Sequence, residues 1–189
     1  MKKIDMTNVQ EAGEFTSLPA GPYICTVTDI QDFPKKEYLK VTYDIAQGEF
    51  ANYFSDARTD HPDWLWYGAY VKSYKTKALP MFKRFCSAIS KSNGKFVFDG
   101  NVINADERTL VGKKIGLMFR EEEYVSNAGE IKTRLIVHSE FPIDKISEQK
   151  TPGKKFLKDV PTGSVGTANT TANDFMSIPD GLEEEVPFV

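Results

Sequence analysis

The sequence predicts an all-β chain with one main helix: a five-stranded antiparallel barrel, its helix between the third and fourth strands, and a disordered acidic tail. Three observations carry this expectation. Apolar and polar residues alternate in several stretches bounded by turn signals, the pattern of half-buried strands. One stretch, 78–91, shows helical spacing instead. Past Phe141 the pattern decays, and 150–182 is rich in Gly, Thr, Pro, Ser and Asn. That composition cannot bury enough surface to offset its ordering entropy. The length of 189 residues fits one domain with tails.

Residues 1–17 are polar and without sustained period, and read as a lead-in. Leu18–Gly21 is a turn signal. The first strand follows, with Tyr23, Cys25 and Val27 on one face and Ile24, Thr26, Thr28 and Ile30 on the other. Pro34–Glu37 makes a turn into the second strand, Tyr38–Ala46, which places Leu39, Val41, Tyr43 and Ile45 together. Glu49–Ser55 is expected to be the third strand, and Asp60 to cap a short helix with Pro62 in its first turn. In 78–91, Phe82, Phe85, Cys86 and Ile89 form one apolar stripe, Lys83 and Arg84 point away from it, and Asn93-Gly94 ends the helix. A short strand is expected at Phe96–Phe98, a turn at Asp99–Asn101, and long strands at Gly112–Val125 and Glu130–Ser139. Three strands, a helix and two strands is the element order of an OB-type barrel. The barrel is placed at 18–145, a flexible linker at 146–180 and an acidic tip at 181–189.

Charge divides the chain. The net charge is −3, but residues 1–159 carry +2 and residues 160–189 carry −5. Between Trp64 and Phe98 there is no Asp or Glu, while seven cations and nine aromatics crowd the 35 residues. Cations neutralise phosphates and ring faces accept stacked bases, so this window points to single-stranded nucleic acid. The phosphate-binding candidates are Lys72, Lys75, Lys77, Lys83 and Arg84, with Lys35, Lys36 and Lys40 on the first hairpin. The stacking candidates are Trp64, Trp66, Tyr67, Tyr70 and Tyr74, together with Tyr53. The plainer reading of the same window is an aromatic core face backed by a solvated basic one.

The chain ends in Glu183, Glu184, Glu185, Val186, Pro187, Phe188 and Val189. Carboxylates before a proline-stiffened apolar end form a tethered ligand for a basic, apolar-floored pocket. A barrel, a Gly/Ser/Thr/Asn linker and such a tip resemble the acidic-tailed single-stranded-DNA-binding proteins of bacteria and their phages. Leu18–Tyr23 (LPAGPY), Tyr38–Ile45 (YLKVTYDI) and Leu110–Leu117 (LVGKKIGL) look like a family of small bacteriophage single-strand binders of the OB type. The resemblance covers about residues 18–145 and the final segment. It implies non-catalytic DNA binding in phage replication or recombination, with 183–188 recruiting partner proteins. The tip departs from the bacterial pattern in its glutamates and in Val189. Self-association as a homo-oligomer stays open. The alternative is a phage protein-interaction module, since Tyr and Trp are enriched in protein interfaces too.

Other classes find little support. No apolar run approaches a membrane span, and no secretory h-region is visible, so a cytoplasmic protein is expected; the phage resemblance implies the cytoplasm of a bacterial host, during infection or from a prophage. Cys25 and Cys86 lie far apart and read as buried thiols. No metal or cofactor is expected. Asp56, Asp60, His61 and Asp63 could hold a nuclease ion, but read better as a loop and helix start. Glu121, Glu122 and Glu123 would alternate on a strand and cannot all ligate one ion. Thr151–Lys155 lacks the glycine and Ser/Thr of a phosphate loop, and His138 reads as structural.

Overall fold

Five strands form one antiparallel sheet of order β3-β2-β1-β4-β5. They are β1 (Gly21–Phe33), β2 (Tyr38–Ile45), β3 (Ala69–Ser73), β4 (Lys114–Val125) and β5 (Ile131–Phe141). Helix α1 (Tyr53–Asp60) joins β2 to β3, and α2 (Leu79–Ser92) lies between β3 and β4. The computed structural model describes residues 17–64, 66–98, 106–126 and 128–157. The lead-in up to residue 16, the expected turn at 99–101, most of the linker and the acidic tip lie outside the described residues. Among the described residues no helix is long and apolar enough to cross a membrane.

The alternation in β1 and β2 places Cys25, Val27, Leu39, Val41, Tyr43 and Ile45 on one buried face. Ile30 joins them, against expectation. The β1–β2 register shifts between Val27 and Asp29, so Thr28 is an extra residue and later side chains change face. A second shift lies in the β4–β5 ladder: Met118 faces Ser139 but Phe119 faces Val137, leaving His138 as the bulged residue. Both bulges bend the sheet and raise its twist.

The sheet is rolled but not closed. In a flat sheet four strand spacings, roughly 19 Å, would separate β3 from β5. Instead Lys72 Nζ on β3 lies 2.5 Å from Glu140 Oε1 on β5. The rings of Tyr43 and Phe119 meet at 5.7 Å although β1 runs between their strands. The closed barrel expected from the sequence is corrected by this seam. There the two edge strands meet through side chains, with no ladder between them. Helix α2 turns Phe85 and Ile89 into the core, both fully buried, as its apolar stripe predicts.

Two local expectations fail near α1. Residues 53–55, read as the end of a third strand, begin a helix, and β3 comes later at Ala69–Ser73. The cause is a cap from another element. The buried Asp44 carboxylate on β2 accepts hydrogen bonds from the backbone N–H of Ile45, Phe54 and Ser55, and from Ser55 Oγ. Orphan donors of the first helical turn are thereby satisfied from a strand. Asp60 ends this helix and caps none. Phe96–Phe98 forms no strand; Phe98 N donates to Ser90 Oγ at 2.9 Å and the ring joins the core.

Beyond Phe141 the chain turns through a 3-10 segment, Ile143–Glu148. Lys155 then bridges to β4 in parallel: Glu123 N donates to Lys155 O and Lys155 N to Glu121 O, each at 2.9 Å. The first residues of the expected linker therefore lie against the sheet.

Candidate nucleic-acid interface

The outward face of β1, β2 and β3 is set by register. Gln31, Lys40 and Val71 form one row across it, and Asp29, Thr42 and Ala69 the next. Lys40 Nζ stands 4.3 Å from the centroid of the Trp66 ring, a cation held over an indole face. Burial lowers the pKa of Lys40, with Arg58 adding to the shift and Asp29 opposing it.

The loop from α1 to β3 places the second indole. Trp64 stacks on His61, with centroids 4.0 Å apart and planes 12° from parallel, and meets Tyr67 edge-on at 5.3 Å. Arg58 Nη1 donates to Tyr67 O at 2.7 Å and pins the loop to α1. Gly68 lets the chain pass: its φ is +72°, and an added Cβ would lie 2.6 Å from Phe54 Cβ and 2.7 Å from Arg58 Nη1. Tyr43 N then donates to Gly68 O and leads into β3.

The aromatic candidates separate into two groups. Tyr53, Tyr67, Tyr70 and Tyr74 pack against the core cluster. Tyr67 donates to Tyr53 Oη at 3.2 Å, and Tyr53 Oη accepts from Leu18 N. Tyr74 donates to Asp32 at 2.8 Å. Burial, then these hydrogen bonds, pushes the phenols of Tyr67 and Tyr74 well up. Burial first, then Glu140, does the same to Tyr70. Trp64 and Trp66 are half-buried and lie outside that cluster.

The cations also divide. Lys72 is buried and paired with Glu140, so its charge is held inside the fold. Arg84 reaches the same carboxylate at 3.7 Å with 44% of its side chain exposed. Lys35, Lys75 and Lys77 are exposed and Lys36 is half-buried. Tyr74 N donates to Glu37 O at 2.9 Å, and Ser73 Oγ to the same atom at 3.3 Å. These bonds tie the β1–β2 turn to the segment after β3. Lys35, Lys36, Lys75 and Lys77 therefore share one end of the sheet, beside the carboxylates of Asp32 and Glu37. Lys83 is exposed on α2. Glu183, Glu184, Glu185, Val186, Pro187 and Phe188 lie outside the described residues.

Sequence reasoning missed Arg58 and His61, which hold the loop and back the second indole. Arg58 lies in a stretch that reads as a loop, and His61 enters only as part of an ion-binding cluster. Among the described residues no three His, Cys, Asp or Glu side chains gather to hold a metal. Burial pushes the Cys25 thiol far above its usual range. The arrangement offers half-exposed indole faces and cations around them. It can stack planar rings and neutralise anions. No protein-family model matches the chain, and no curated protein matches it.

Proposed function

We propose that the chain is a non-catalytic single-stranded DNA binder built on an OB-type domain. The strand order, the helix between β3 and β4 and the gap between β3 and β5 support the OB-type reading. Such domains bind oligonucleotides on the face of strands two and three and through the β1–β2 and β4–β5 loops. Lys40 and Trp66 fall on that face, and Lys35 and Lys36 on the first of those loops. The observation that carries the reading is the Lys40 ammonium over the Trp66 indole, which offers a base a ring and its phosphate a charge. Bases stack on Trp66 and Trp64, and the lysines at the Lys35/Lys75 end meet the backbone. The tip, 183–188, recruits replication or recombination proteins in the bacterial host cytoplasm.

Titration with labelled oligo-dT at several salt concentrations tests this. Each phosphate neutralised on a single strand contributes about −0.7 to the slope of log K against log salt. A slope of several such contacts, with quenching of tryptophan fluorescence, is the expected result. No binding at low salt overturns the reading and favours a protein-interaction module. Deleting 180–189 is expected to tighten DNA binding and abolish partner recruitment; unchanged affinity would remove competition between tip and DNA.

A further inference from the structure

Lys91, Lys95, Lys113 and Lys114 gather where α2 meets β4. Asn93, just past the end of α2, ties the two elements together. Its Nδ2 donates to Ile89 O at 2.6 Å and to Lys114 O at 2.7 Å, and its Oδ1 accepts from Lys114 N at 2.9 Å. Lys91 and Lys95 stand two residues to either side of Asn93, and Lys113 precedes Lys114. Strand β1 fixes the same stretch, since Val27 N donates to Lys113 O at 2.9 Å and Gly112 N to Val27 O at 2.8 Å. Lys113 Nζ lies 4.5 Å from the centroid of the Phe96 ring, the arrangement that Lys40 makes with Trp66.

Lys91, Lys95 and Lys114 are exposed and Lys113 is half-buried. None of the ion pairs among the described residues takes any of these lysines. Helix α2 carries no Asp or Glu. The 3-10 turn Glu107–Leu110 leads into Lys113, whose N donates to Leu110 O at 3.0 Å. There Asp106 lies 3.9 Å from Arg108, and Glu107 is half-buried. The segment Ile143–Glu148 joins α2 where Ile143 N donates to Ser92 Oγ at 3.1 Å. On it Glu148 pairs with Lys145 at 2.7 Å and Asp144 is exposed. Asp99 lies outside the described residues. The negative C-terminal end of α2 accounts for Lys91, but Lys113 and Lys114 belong to another element. Positive charge is thus in excess at this junction, on side chains that solvent reaches.

Register connects the junction to the Lys40–Trp66 face. Thr26 on β1 faces both Asp44 on β2 and Lys114 on β4, so these residues form one row across the sheet. The rows of Asp29 with Thr42 and of Gln31 with Lys40 follow on the same side. Lys40 and Lys114 therefore share the outer face, two strand spacings and four residues apart, or roughly 16 Å. Of the carboxylates between them, Asp44 is taken up by the first turn of α1, and Asp29 is the exposed diagonal neighbour of Lys40. We infer that Lys91, Lys95, Lys113 and Lys114 form a second phosphate track, occupied by the single strand as it leaves the Lys40–Trp66 face. Lysines bind phosphates as point charges and need no fixed fork geometry. The inference rests on the DNA-binding reading and carries the strand past β2 and β3, across β1 to β4.

The experiment is the salt titration on the full chain with oligo-dT of about 4 and about 16 nucleotides, the limits of the site size of one OB domain. The variants are Lys113→Gln with Lys114→Gln, and Lys113→Arg with Lys114→Arg. On the long oligonucleotide the glutamine pair should lose about 1.4 from the salt slope, two contacts at about 0.7 each, and the arginine pair should keep it. On the short one the slope and the tryptophan quench should match the wild type. Should the glutamine pair fail to fold, Lys114→Gln alone, at an exposed position, should lose about 0.7 on the long oligonucleotide only. An unchanged slope overturns the track, and if Trp66→Ala still weakens binding, the DNA-binding reading survives it. Equal loss on both lengths is a general charge effect and also overturns the track. Binding by none of the proteins overturns track and reading together. If the slope is unchanged while a synthetic peptide of residues 181–189 binds the wild type and not the glutamine pair, the junction takes an acidic peptide, and its assignment to the strand is overturned.

Discussion

The Lys72 ammonium on β3 meets the Glu140 carboxylate on β5 at 2.5 Å, with 9% and 3% of the two side chains exposed. This one contact joins the two edges of the rolled sheet. Breaking a buried pair leaves an uncompensated charge in a poor solvent, at a cost of about 3–5 kcal/mol. Lys72→Met is therefore expected to lower stability in urea by about that amount. Lys72→Met with Glu140→Leu should recover most of the loss, because apolar replacements of a buried pair are often neutral. A double variant no more stable than the single would show that the ion pair itself shapes the seam.

Trp66 and Lys40 set the second expectation. A stacking aromatic is worth about 1–3 kcal/mol of binding on alanine substitution. Trp66→Ala should weaken oligo-dT binding by roughly 5- to 150-fold and remove much of the fluorescence quench. Tyr70→Phe, which alters a buried phenol, should leave affinity unchanged. Equal losses in both variants would count against a specific role for the indole.

Asp44 is a helix cap supplied by a strand. Its removal leaves buried N–H groups at Ile45, Phe54 and Ser55 without their acceptor. Asp44→Ala is expected to destabilise the fold by about 3 kcal/mol, and Asp44→Asn by less, since one carbonyl oxygen remains. Chemical denaturation monitored at the tryptophans reads both. A loss under about 1 kcal/mol for alanine would mean water replaces the carboxylate.

His138 gives a pH dependence whose sign is fixed. Burial chiefly, then Arg120 and Arg84, lowers its pKa, and Glu140 opposes them. The unfolded chain therefore binds this proton more readily than the folded one. The stabilisation is present above the ordinary histidine value of about 6.5 and is lost as pH falls toward the folded value. From about pH 7 to 5 the wild-type melting temperature should fall more steeply than that of His138→Gln. Parallel curves would exclude the ring as the cause.

Much of the framework is legible in the residues. The alternation in Tyr23–Val27 and Leu39–Ile45, the stripe Phe82–Ile89 and the turn between β4 and β5 all appear where their periods place them. These signals are local, so a short window contains them. The failures are non-local. Helix α1 is short, and its cap comes from Asp44 on a preceding strand. Ile30 changes face because of a bulge that no alternation pattern encodes. Lys72 looks like any strand lysine until Glu140, far along the chain, is brought beside it. The candidate interface divides the same way. Composition identified indoles and lysines near one another, but a tyrosine that packs and one that stacks are the same letter. Only the register, which turns Tyr70 inward and Lys40 outward, distinguishes core rings from the half-exposed indoles.

The parallel bridge between Glu122 and Lys155 has a consequence for shortened forms of the protein. On that side β4 runs on past its ladder with β1, which stops at Phe119, and the returning chain shields the flank at Glu121–Glu123. A chain cut before Lys154 would bare those amide and carbonyl groups to any passing polypeptide. Truncation at the end of β5 would thus yield a molecule inclined to self-adhere and form insoluble assemblies, although none of its five strands had been removed.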